Sequence, residues 1–520
     1  MIKDQYEIAS KFNEYFVNIG PNLAKKIQGT HQTFKSYMDH RCPNSVFLDA
    51  ILEKEVLNEI KMLNANTASG LDDISPKVVK AIANYIVKPL THIFNLSFLT
   101  GTIPNALKIA RVTPVYKTNS KENFSNYRPI SVLPCFSKIL EKLMYKRAIT
   151  FLNKNNILSN NQYGFRAGHS TQQVVIELVD KISQAIERNE YTVGLFLDLS
   201  KAFDTVNHQI LLEKLEHYGF RGVALEWFKN YLTNRKQIVN YKSANSDTLV
   251  VSCGVPQGSV LGPLLFLIYI NDISHSSSLL SFLLFADDTN LFFSHEDINT
   301  LGKTVNQELS KVANWLACNK LSLNVKKTHF MIFKAKNKKM NHSINIKIGN
   351  EIIDRVNNTN FLRLVIDDDL SLKHHIIKVT SKISKLCGIM VRARHYLSTR
   401  TLRTVYNAMV YPYLCYCNIV WASTYPSRLD ALYKVQKKII RIITFSKYQQ
   451  ESRQLFISLQ WLNIYELNSY QIGLFMYSYA KGSLPSVFSN YFSLNNTIHQ
   501  HYTWSSGKLH IKFKRTNYGK

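Results

Sequence analysis

Two aromatic-rich apolar runs enclose a pair of adjacent aspartates near the middle of this 520-residue chain. The stretch is Ser281–Phe293, and the two acids are Asp287 and Asp288. Short apolar runs on either side of a polar pair predict two buried strands joined by a tight turn. Adjacent carboxylates at such a tip repel each other and resist desolvation, so a hard divalent cation is the natural partner. The alternative is a solvated turn, because Asp is a common turn residue.

A second apolar run, upstream of this hairpin, also ends in a carboxylate. Thr192–Leu197 predicts a buried strand, and Asp198 follows it directly. An acid at the end of an apolar strand is a functional candidate, because strand ends point into clefts. Asp198 and Asp287 are far apart along the chain, so they meet only if the strand and the hairpin share one sheet.

The composition indicates a globular chain with a polyanionic partner. Lys and Arg number 64 against 36 Asp and Glu, which gives a net charge of +28. An excess of this size favours nucleic acid over an anionic membrane as the partner, with simple solubilisation as the alternative. The apolar runs are shorter than the about 20 residues of a spanning helix, so no membrane partner is expected. The seven cysteines lack zinc-ligand spacing, so free thiols and no structural zinc are expected.

Three further loops carry candidate binding residues. Lys117 ends a predicted strand and Arg128 follows the next polar loop, so the pair could grip a triphosphate or could be ordinary surface charge. The loop Gly254–Pro263 could lie against a nucleotide or could be a plain helix entry. In Asn161–Thr171, the glycines around Phe165-Arg166 permit close backbone approach.

Hydrophobic periodicity predicts the remaining elements. A lysine-rich linker at 334–347 indicates a domain junction, and Thr171 is the expected N-cap of the helix that follows it. The predicted helices are Ile8–Ile27, Val78–Leu99, Phe136–Leu152, Gln172–Arg188, Leu264–Ile273, Ile298–Asn319, Leu372–Tyr396, Leu402–Tyr411 and Leu429–Phe445. The further predicted strands are Ala110–Lys117, Gln237–Tyr241, Thr248–Cys253, His329–Phe333 and Asn360–Asp367.

Five blocks in series resemble the reverse transcriptase of non-LTR retrotransposons, close to the jockey-like type. They are Asn126–Ser131, Gln162–Arg166, Leu197–Val206, Gly254–Pro263 and Phe285–Asp288. The resemblance implies an α+β right-hand polymerase fold with fingers, a palm built from an antiparallel sheet plus helices, and a helical thumb. It implies an RNA-directed DNA polymerase that extends a DNA primer or target with dNTPs on an RNA template, by two-metal phosphoryl transfer.

The resemblance also implies roles for single residues. Asp198, Asp287 and Asp288 would be the catalytic and metal-binding carboxylates for two Mg²⁺ ions, with Mn²⁺ possible. Asp198 and Asp287 are expected as direct ligands and Asp288 as more peripheral. Lys327 resembles a lysine that protonates pyrophosphate, and Lys326 is the alternative match.

The incoming nucleotide and the template have their own implied residues. Phe203 stands at the family's steric-gate position, where it would exclude a ribose 2′-hydroxyl; a core aromatic is the alternative. Arg166 would lie along the template. The residues assigned to nucleotide binding are Lys117, Arg128, Phe203, Gln257 and Gly258.

The sequence departs from the family pattern at the segment that resembles the primer grip, Phe361–Ile366. Arg363 stands where the family usually has glycine, and Leu372 where it usually has tryptophan. A side chain at a glycine position threatens a turn or a close backbone contact. With no endonuclease and no cysteine-histidine knuckle in the sequence, the chain resembles the polymerase piece of a degraded or fragmentary element.

The expected division of the chain follows from the resemblance. It is 1–60 helical N-terminal extension between endonuclease and polymerase, 61–190 fingers with part of the palm, 191–345 palm, 346–445 primer grip and thumb, and 446–520 truncated C-terminal region. Two alternatives to an active polymerase stay open. One is a catalytically degraded relic that only binds nucleic acid, and the other is a reverse transcriptase of the group II intron maturase type.

Overall fold

A computed structural model describes residues 3–27, 29–30, 32–340, 342–498 and 508–510. Up to residue 333, in chain order, the elements are α1 (Gln5–Ala24), α2 (Glu53–Lys61), α3 (Pro76–Ala81), α4 (Ala83–Thr100), β1 (Ile109–Tyr116), β2 (Tyr127–Val132), α5 (Cys135–Lys154), α6 (Thr171–Glu187), β3 (Tyr191–Leu197), α7 (His208–His217), α8 (Val223–Leu232), β4 (Arg235–Tyr241), β5 (Ala244–Asn245), β6 (Leu249–Val251), α9 (Leu261–Ile270), β7 (Ser281–Phe285), β8 (Asp288–His295), α10 (Ile298–Cys318) and β9 (His329–Phe333).

The chain continues with short strands and then helices. These elements are β10 (Lys347–Ile348), β11 (Glu351–Ile352), β12 (Asp354–Arg355), β13 (Asn358–Phe361), β14 (Leu364–Asp367), α11 (Lys373–Ala393), α12 (Thr399–Met409), α13 (Tyr411–Cys415), α14 (Asn418–Trp421), α15 (Pro426–Ile443), α16 (Ser452–Leu459), α17 (Ile464–Ala480) and α18 (Asn495–Ile498). Short 3-10 helices lie at Phe34–Tyr37, Asn105–Lys108, Phe124–Asn126, Ala202–Asp204, Ile273–Ser276 and Ser486–Phe488.

The central sheet has the strand order β12-β9-β3-β8-β7, and β3 lies in its middle. Every residue of β3 is buried, because both faces of the sheet are covered. Val193 and Leu195 pack into a core with α5, α7, α9 and α10, whereas Phe196 faces a second core with α6, α11 and α15. The alternation of side chains along one strand therefore ties both cores to the same sheet.

A second sheet has the order β2-β1-β4-β5, with β6 paired to β4. β1 pairs antiparallel with β2 and parallel with β4, so the chain returns to this sheet at residues 235–251 after building β3. The predicted strands Gln237–Tyr241 and Thr248–Cys253 are confirmed as β4 and β6, which pair antiparallel. Helix α1 covers this sheet through a small core that joins Phe12 and Phe16 to Val112 and Val239.

The segment predicted as one strand, Asn360–Asp367, is instead the hairpin β13–β14. Phe361 pairs with Leu364, which leaves Leu362 and Arg363 as a two-residue turn. Both turn residues have positive φ, 43° and 71°, as a type I′ turn requires. The prediction was wrong because neither residue is the Gly or Asn that normally marks such a turn.

Three other predicted boundaries shift for local reasons. Ser170, not Thr171, caps α6: its hydroxyl accepts from the N–H of Gln173, whose side chain accepts from the Ser170 N–H. Helix α9 begins at Leu261, three residues early, because the buried carboxylate of Glu141 accepts from the N–H groups of its first turn. The predicted helix Val78–Leu99 is interrupted at residue 82, which separates α3 from α4.

The expected C-terminal region, 446–520, contains α16, α17 and α18, and the stretch Tyr502–Lys520 lies mostly outside the described residues. All seven cysteines are free thiols. Within the described ranges, no helix combines the length and the apolar character needed to cross a bilayer.

Candidate active site

The expectation that the strand before Asp198 and the acidic hairpin share a sheet is confirmed. β3 pairs antiparallel with β8, and the last pair of this ladder is Leu197 with Thr289. Asp198 follows Leu197, and Asp288 precedes Thr289. The two acids therefore leave adjacent strands at the same end of the central sheet, beside the β7–β8 turn.

The β7–β8 turn is one residue earlier than the acidic pair suggests. Phe285 pairs with Asp288, so Ala286 and Asp287 are the two central turn residues and Asp288 begins β8. Ala286 has φ +56°, a left-handed conformation that suits the first central position of a two-residue hairpin. A residue with a Cβ is strained there by about 1 kcal/mol, so neighbouring contacts must hold it.

The side chain of Gln162 supplies those contacts. Its Oε1 accepts from the N–H of Ala286 at 2.9 Å and from the N–H of Gly164 at 2.7 Å. Its Nε2 donates to the Ala286 carbonyl at 3.4 Å. A Cβ on Gly164 would lie 2.2 Å from the Ala286 nitrogen, so only glycine allows this approach. The sequence pointed to close approach at these glycines but gave Gln162 no role.

The three carboxylates interact electrostatically. Burial, followed by repulsion from Asp287 and Asp198, raises the pKa of Asp288 to about 6. Burial and the charge of Asp198 raise the pKa of Asp287, whereas Arg128 and Lys117 act to lower it. A raised pKa means that the ionised form lacks compensation, which is the condition that a bound cation would relieve.

Asp198 is oriented by the loop that follows α10 in the chain. Its Oδ2 accepts from the side-chain amide of Asn324 at 3.0 Å, and its backbone N–H donates to the hydroxyl of Thr328 at 3.2 Å. The carbonyl of Asp198 also accepts from the Asn324 N–H at 2.8 Å. The carboxylate therefore keeps one oxygen, Oδ1, outside these bonds.

Cationic side chains from distant parts of the chain lie near one another beside this site. Lys201 donates to the carbonyls of Ser125 and Tyr127, each at 3.2 Å, which ties the segment after β3 to the loop between β1 and β2. Burial lowers the pKa of Lys201, and the nearby charges of Lys117, Lys327 and Arg128 lower it further.

A family model described as reverse transcriptase (RNA-dependent DNA polymerase) matches residues 117–366, which include all of these groups. These residues form a reverse transcriptase domain. The chain is also similar to named polymerases of mobile elements, and the resemblance to the jockey-like, non-LTR type is confirmed.

Three relatives from Drosophila melanogaster illustrate the similarity. The chain is 28% identical over 416 residues to the probable RNA-directed DNA polymerase from transposon BS, covering 78% of the chain and 46% of that protein. It is 26% identical over 426 residues to the one from transposon X-element, covering 79% and 46%. It is 25% identical over 433 residues to the RNA-directed DNA polymerase from mobile element jockey, covering 81% and 47%. The chain thus spans less than half the length of these curated relatives.

Phe203 has both a packed and an open side in the reverse transcriptase domain. It is half-buried, and its ring stacks on Phe266 with a centroid distance of 4.5 Å. The exposed ring of Phe165 meets it edge-on at 6.3 Å. The ring is thus held on one face by the core residue Phe266. A role as steric gate stays a prediction.

The loop 254–263 of the reverse transcriptase domain docks on β2. The Ser131 N–H donates to the Gln257 carbonyl at 2.7 Å, and Gly258 has φ +120°. A Cβ on Gly258 would lie 2.5 Å from the Ser131 carbonyl oxygen, so the close approach requires glycine. The side-chain amide of Gln257 donates to both carboxylate oxygens of Asp204, at 2.8 and 3.0 Å. The sequence gave no reason to assign Asp204 a role, although this residue lies inside the block Leu197–Val206.

Arg166, expected along the template, bonds to its own loop. One guanidinium nitrogen donates to the carbonyls of Ser159 and Gln162, at 2.7 and 3.2 Å. Burial lowers the pKa of Arg166. Contact with a template stays a prediction for this residue.

The donor set of the reverse transcriptase domain fits a hard divalent cation, because it consists of carboxylate oxygens that meet at one sheet end. Among the described residues, no three His, Cys, Asp or Glu side chains already stand in metal-binding geometry. Asp198, Asp287 and Asp288 thus lie close enough to affect one another's charge without forming a ready-made metal cage.

Proposed function

We propose that this chain is an RNA-directed DNA polymerase that adds deoxynucleotides to a primer 3′-hydroxyl on an RNA template. The observation that carries the proposal is the β3–β8 register, which leaves Asp198 beside Asp288 and the Ala286–Asp287 turn. The reverse transcriptase match across residues 117–366 and the polymerase names of the relatives support the same function.

In this proposal Asp198 and Asp287 hold divalent cations directly, with Asp288 more peripheral. The cations, Mg²⁺ in the first instance, would activate the attacking hydroxyl and neutralise the leaving pyrophosphate. Asn324 holds Asp198 in a fixed orientation, and the Gln162 amide fixes the turn that presents Asp287. The protein thereby contributes preorganised carboxylates rather than covalent chemistry.

Cationic side chains around the acids would bind the triphosphate. Lys117 and Arg128 flank the loop after β1, and the bonds of Lys201 to that loop support their approach to Asp287. Lys327 would donate the proton to pyrophosphate, with Lys326 as the alternative, and the effect of the Lys327 charge on the pKa of Lys201 supports a position near the site. Both roles depend on a negative ligand that these charges attract.

The remaining assigned residues would select and align the nucleic acid. Phe203 would exclude a ribose 2′-hydroxyl, and its stacking on Phe266 supports a rigid wall. Gln257 and Gly258 would frame the incoming nucleotide, and Arg166 would border the template. The net charge of +28 supports an RNA template and a DNA primer as partners.

We assign the parts of a right-hand polymerase to this fold as follows. The central sheet would be the palm: strands β3, β7, β8 and β9 lie within residues 191–345, and the edge strand β12 joins them from residues 354–355. The β2-β1-β4-β5 sheet would be the fingers, within 61–190 plus the returning strands at 235–251. The β13–β14 hairpin and the helices to residue 445 would be primer grip and thumb. Residues 1–60 would be the N-terminal extension and 446–520 the C-terminal region.

A relic that only binds nucleic acid is the second candidate, and one observation favours it. Arg363 is held at φ +71° in the hairpin assigned to the primer grip, where strain could loosen primer alignment. Such a chain would still bind nucleic acid through its positive charge, in a salt-sensitive manner.

Primer extension on poly(rA)/oligo(dT) with Mg²⁺ and dTTP separates the two candidates. The wild type and the exposed-site control Asp49→Asn should extend the primer, and Asp287→Asn should not. Equal extension by all three would remove the assigned site. Binding of primer–template without extension by any of them would favour the relic.

A further inference from the structure

We propose that helix α1 and Asp204 act together to position Gln257 for the incoming nucleotide. Helix α1 lies far upstream of the matched residues 117–366, so part of the nucleotide site would come from outside the reverse transcriptase domain. The inference rests on the proposed polymerase function, because it concerns the nucleotide that this function requires.

The first step is the contact between Asp204 and Gln257. The side-chain nitrogen of Gln257 donates to both carboxylate oxygens, at 2.8 and 3.0 Å. Hydrogen bonds to an ionised acceptor are roughly twice as strong as neutral ones. A single nitrogen shared between two oxygens also fixes the rotation of the amide, so its carbonyl oxygen points away from Asp204.

The second step is the packing of the two backbones. The Gly254 N–H donates to the Val206 carbonyl and the Val255 N–H to the Phe203 carbonyl, each at 2.8 Å. Gly254 has φ +82°, and a Cβ there would lie 2.8 Å from the Asp204 carbonyl oxygen. The segment that carries Asp204 and the loop that carries Gln257 therefore move as one unit.

The third step is the contact with α1, which closes the other side of Asp204. Gly20 is buried, and a Cβ on it would lie 2.6 Å from the Asp204 carbonyl oxygen and 2.2 Å from the Cys253 sulfur. Tyr15, one turn earlier on α1, is close enough that the charge of Asp204 adds to burial in raising the pKa of its hydroxyl. Any side chain at position 20 would push the helix and Asp204 apart.

The fourth step is the anchoring of α1 to the fingers sheet. The buried side chain of Asn13 donates to the Ser246 hydroxyl at 2.9 Å and to the Asp247 carbonyl at 2.8 Å, and it accepts from the Gln237 amide at 2.9 Å. The ring of Phe12 packs edge-on against Tyr127, which lies next to Arg128. Because α1 has fixed contacts on both sides, it can hold the Asp204 segment in register with the triphosphate-binding loop.

A purely structural helix would give a different result from a positioning helix. Loss of general stability lowers the amount of active enzyme and so lowers kcat with KM unchanged. Loss of Gln257 alignment should instead raise the KM for dTTP, with little change in kcat or in primer–template affinity. The split between the two constants is therefore the deciding readout.

The test compares four variants of the full chain in steady-state incorporation of dTTP. Asp204→Ala should raise the KM for dTTP about tenfold, the expected effect of losing a charge-assisted bond. Asp204→Asn keeps one acceptor and should raise it less. Gly20→Ala should resemble Asp204→Ala. Gly29→Ala is the matched control, because nothing lies within 4 Å of a Cβ there, and it should match the wild type.

Hydrogen–deuterium exchange supplies a readout that does not need activity. Asp204→Ala and Gly20→Ala should both increase exchange at residues 254–258, and Gly29→Ala should not. An unchanged KM for dTTP in folded Asp204→Ala, with unchanged exchange in that loop, would overturn the inference. If the wild type shows no extension, the proposed function fails, and the exchange result still decides whether α1 and Asp204 hold the loop.

Discussion

The side-chain amide of Gln162 brackets the backbone of Ala286, accepting from its N–H at 2.9 Å and donating to its carbonyl at 3.4 Å. Ala286 is in the left-handed region, and Asp287 follows it in the turn. The amide thus stabilises a backbone conformation that alanine alone disfavours, and it fixes the direction in which Asp287 leaves the turn.

Replacing Gln162 with Ala should lower kcat for dTTP incorporation at least tenfold, because the turn loses the bonds that orient Asp287. It should also lower the free energy of unfolding by about 1–3 kcal/mol, because two buried N–H groups lose their acceptor. Chemical denaturation and steady-state kinetics measure both effects. Gln184→Ala is the control, because its exposed amide donates to Asp180 on the same helix. A kcat equal to that of the control would remove this role for Gln162.

The position of the acids could be predicted from the sequence, but the contacts that hold them could not. An apolar strand ending in Asp198 and an apolar hairpin carrying Asp287 are local patterns, and the order of the family blocks predicts that the two acids share one site. The Gln162–Ala286 and Asp204–Gln257 bonds join residues more than 50 positions apart, and no periodicity marks such pairs.

Two local features were predicted wrongly from the sequence, each for a physical reason. The Leu362–Arg363 turn contains no Gly or Asn, so a hairpin was predicted as one strand. The acidic pair suggested the turn itself, whereas Ala286 and Asp287 occupy it, because contacts from Gln162 offset the strain of alanine. In both cases tertiary contacts override the usual turn preference. The Tyr416 hydroxyl, for example, donates to the Leu362 carbonyl.

Arg363→Gly should stabilise the protein by about 0.5 kcal/mol, because glycine adopts φ +71° without strain but loses more chain entropy on folding. Arg363→Ala is the matched control: it removes the charge and keeps the Cβ, so it should not stabilise. Urea denaturation of the three proteins measures the difference. Equal stabilisation by both variants would show that removing the charge, and not relieving backbone strain, stabilises the protein.

The raised pKa of Asp288, about 6, predicts a pH dependence of stability. In the folded chain this pKa lies above the ordinary value of an Asp carboxyl, 3.8, so ionisation opposes folding, and metal-free stability should fall as pH rises from about 4 to about 6. Melting temperatures in EDTA at pH 5 and pH 7.5 test this. The melting temperature of the wild type should fall more between pH 5 and pH 7.5 than that of Asp288→Asn. Asp49→Asn should behave like the wild type.

Magnesium should act on the same group in the opposite direction. Because a cation binds the ionised carboxylate, added Mg²⁺ should raise the melting temperature more at pH 7.5 than at pH 5. An equal shift at both pH values, or an undiminished shift in Asp288→Asn, would contradict a contribution of this acid to cation binding.

Phe203→Ala should admit ribonucleotides, because removal of the ring opens space where a 2′-hydroxyl would lie. Single-nucleotide incorporation of dTTP and rUTP on poly(rA)/oligo(dT) measures the preference. Phe203→Val keeps more of the packing on Phe266 and guards against loss of the fold, and the exposed Phe47→Ala is the control. A dTTP preference unchanged in both Phe203 variants would assign the ring to the core alone.

The most direct test of the account is the rate of a single dTTP addition by Asp198→Asn, measured against Asp49→Asn at saturating Mg²⁺. The pairing of β3 with β8 brings Asp198 close to Asp287 and Asp288. We expect Asp198→Asn to bind primer–template normally and to lose at least about a thousandfold in rate. Addition at the control rate would contradict the claim that these three acids form one catalytic site.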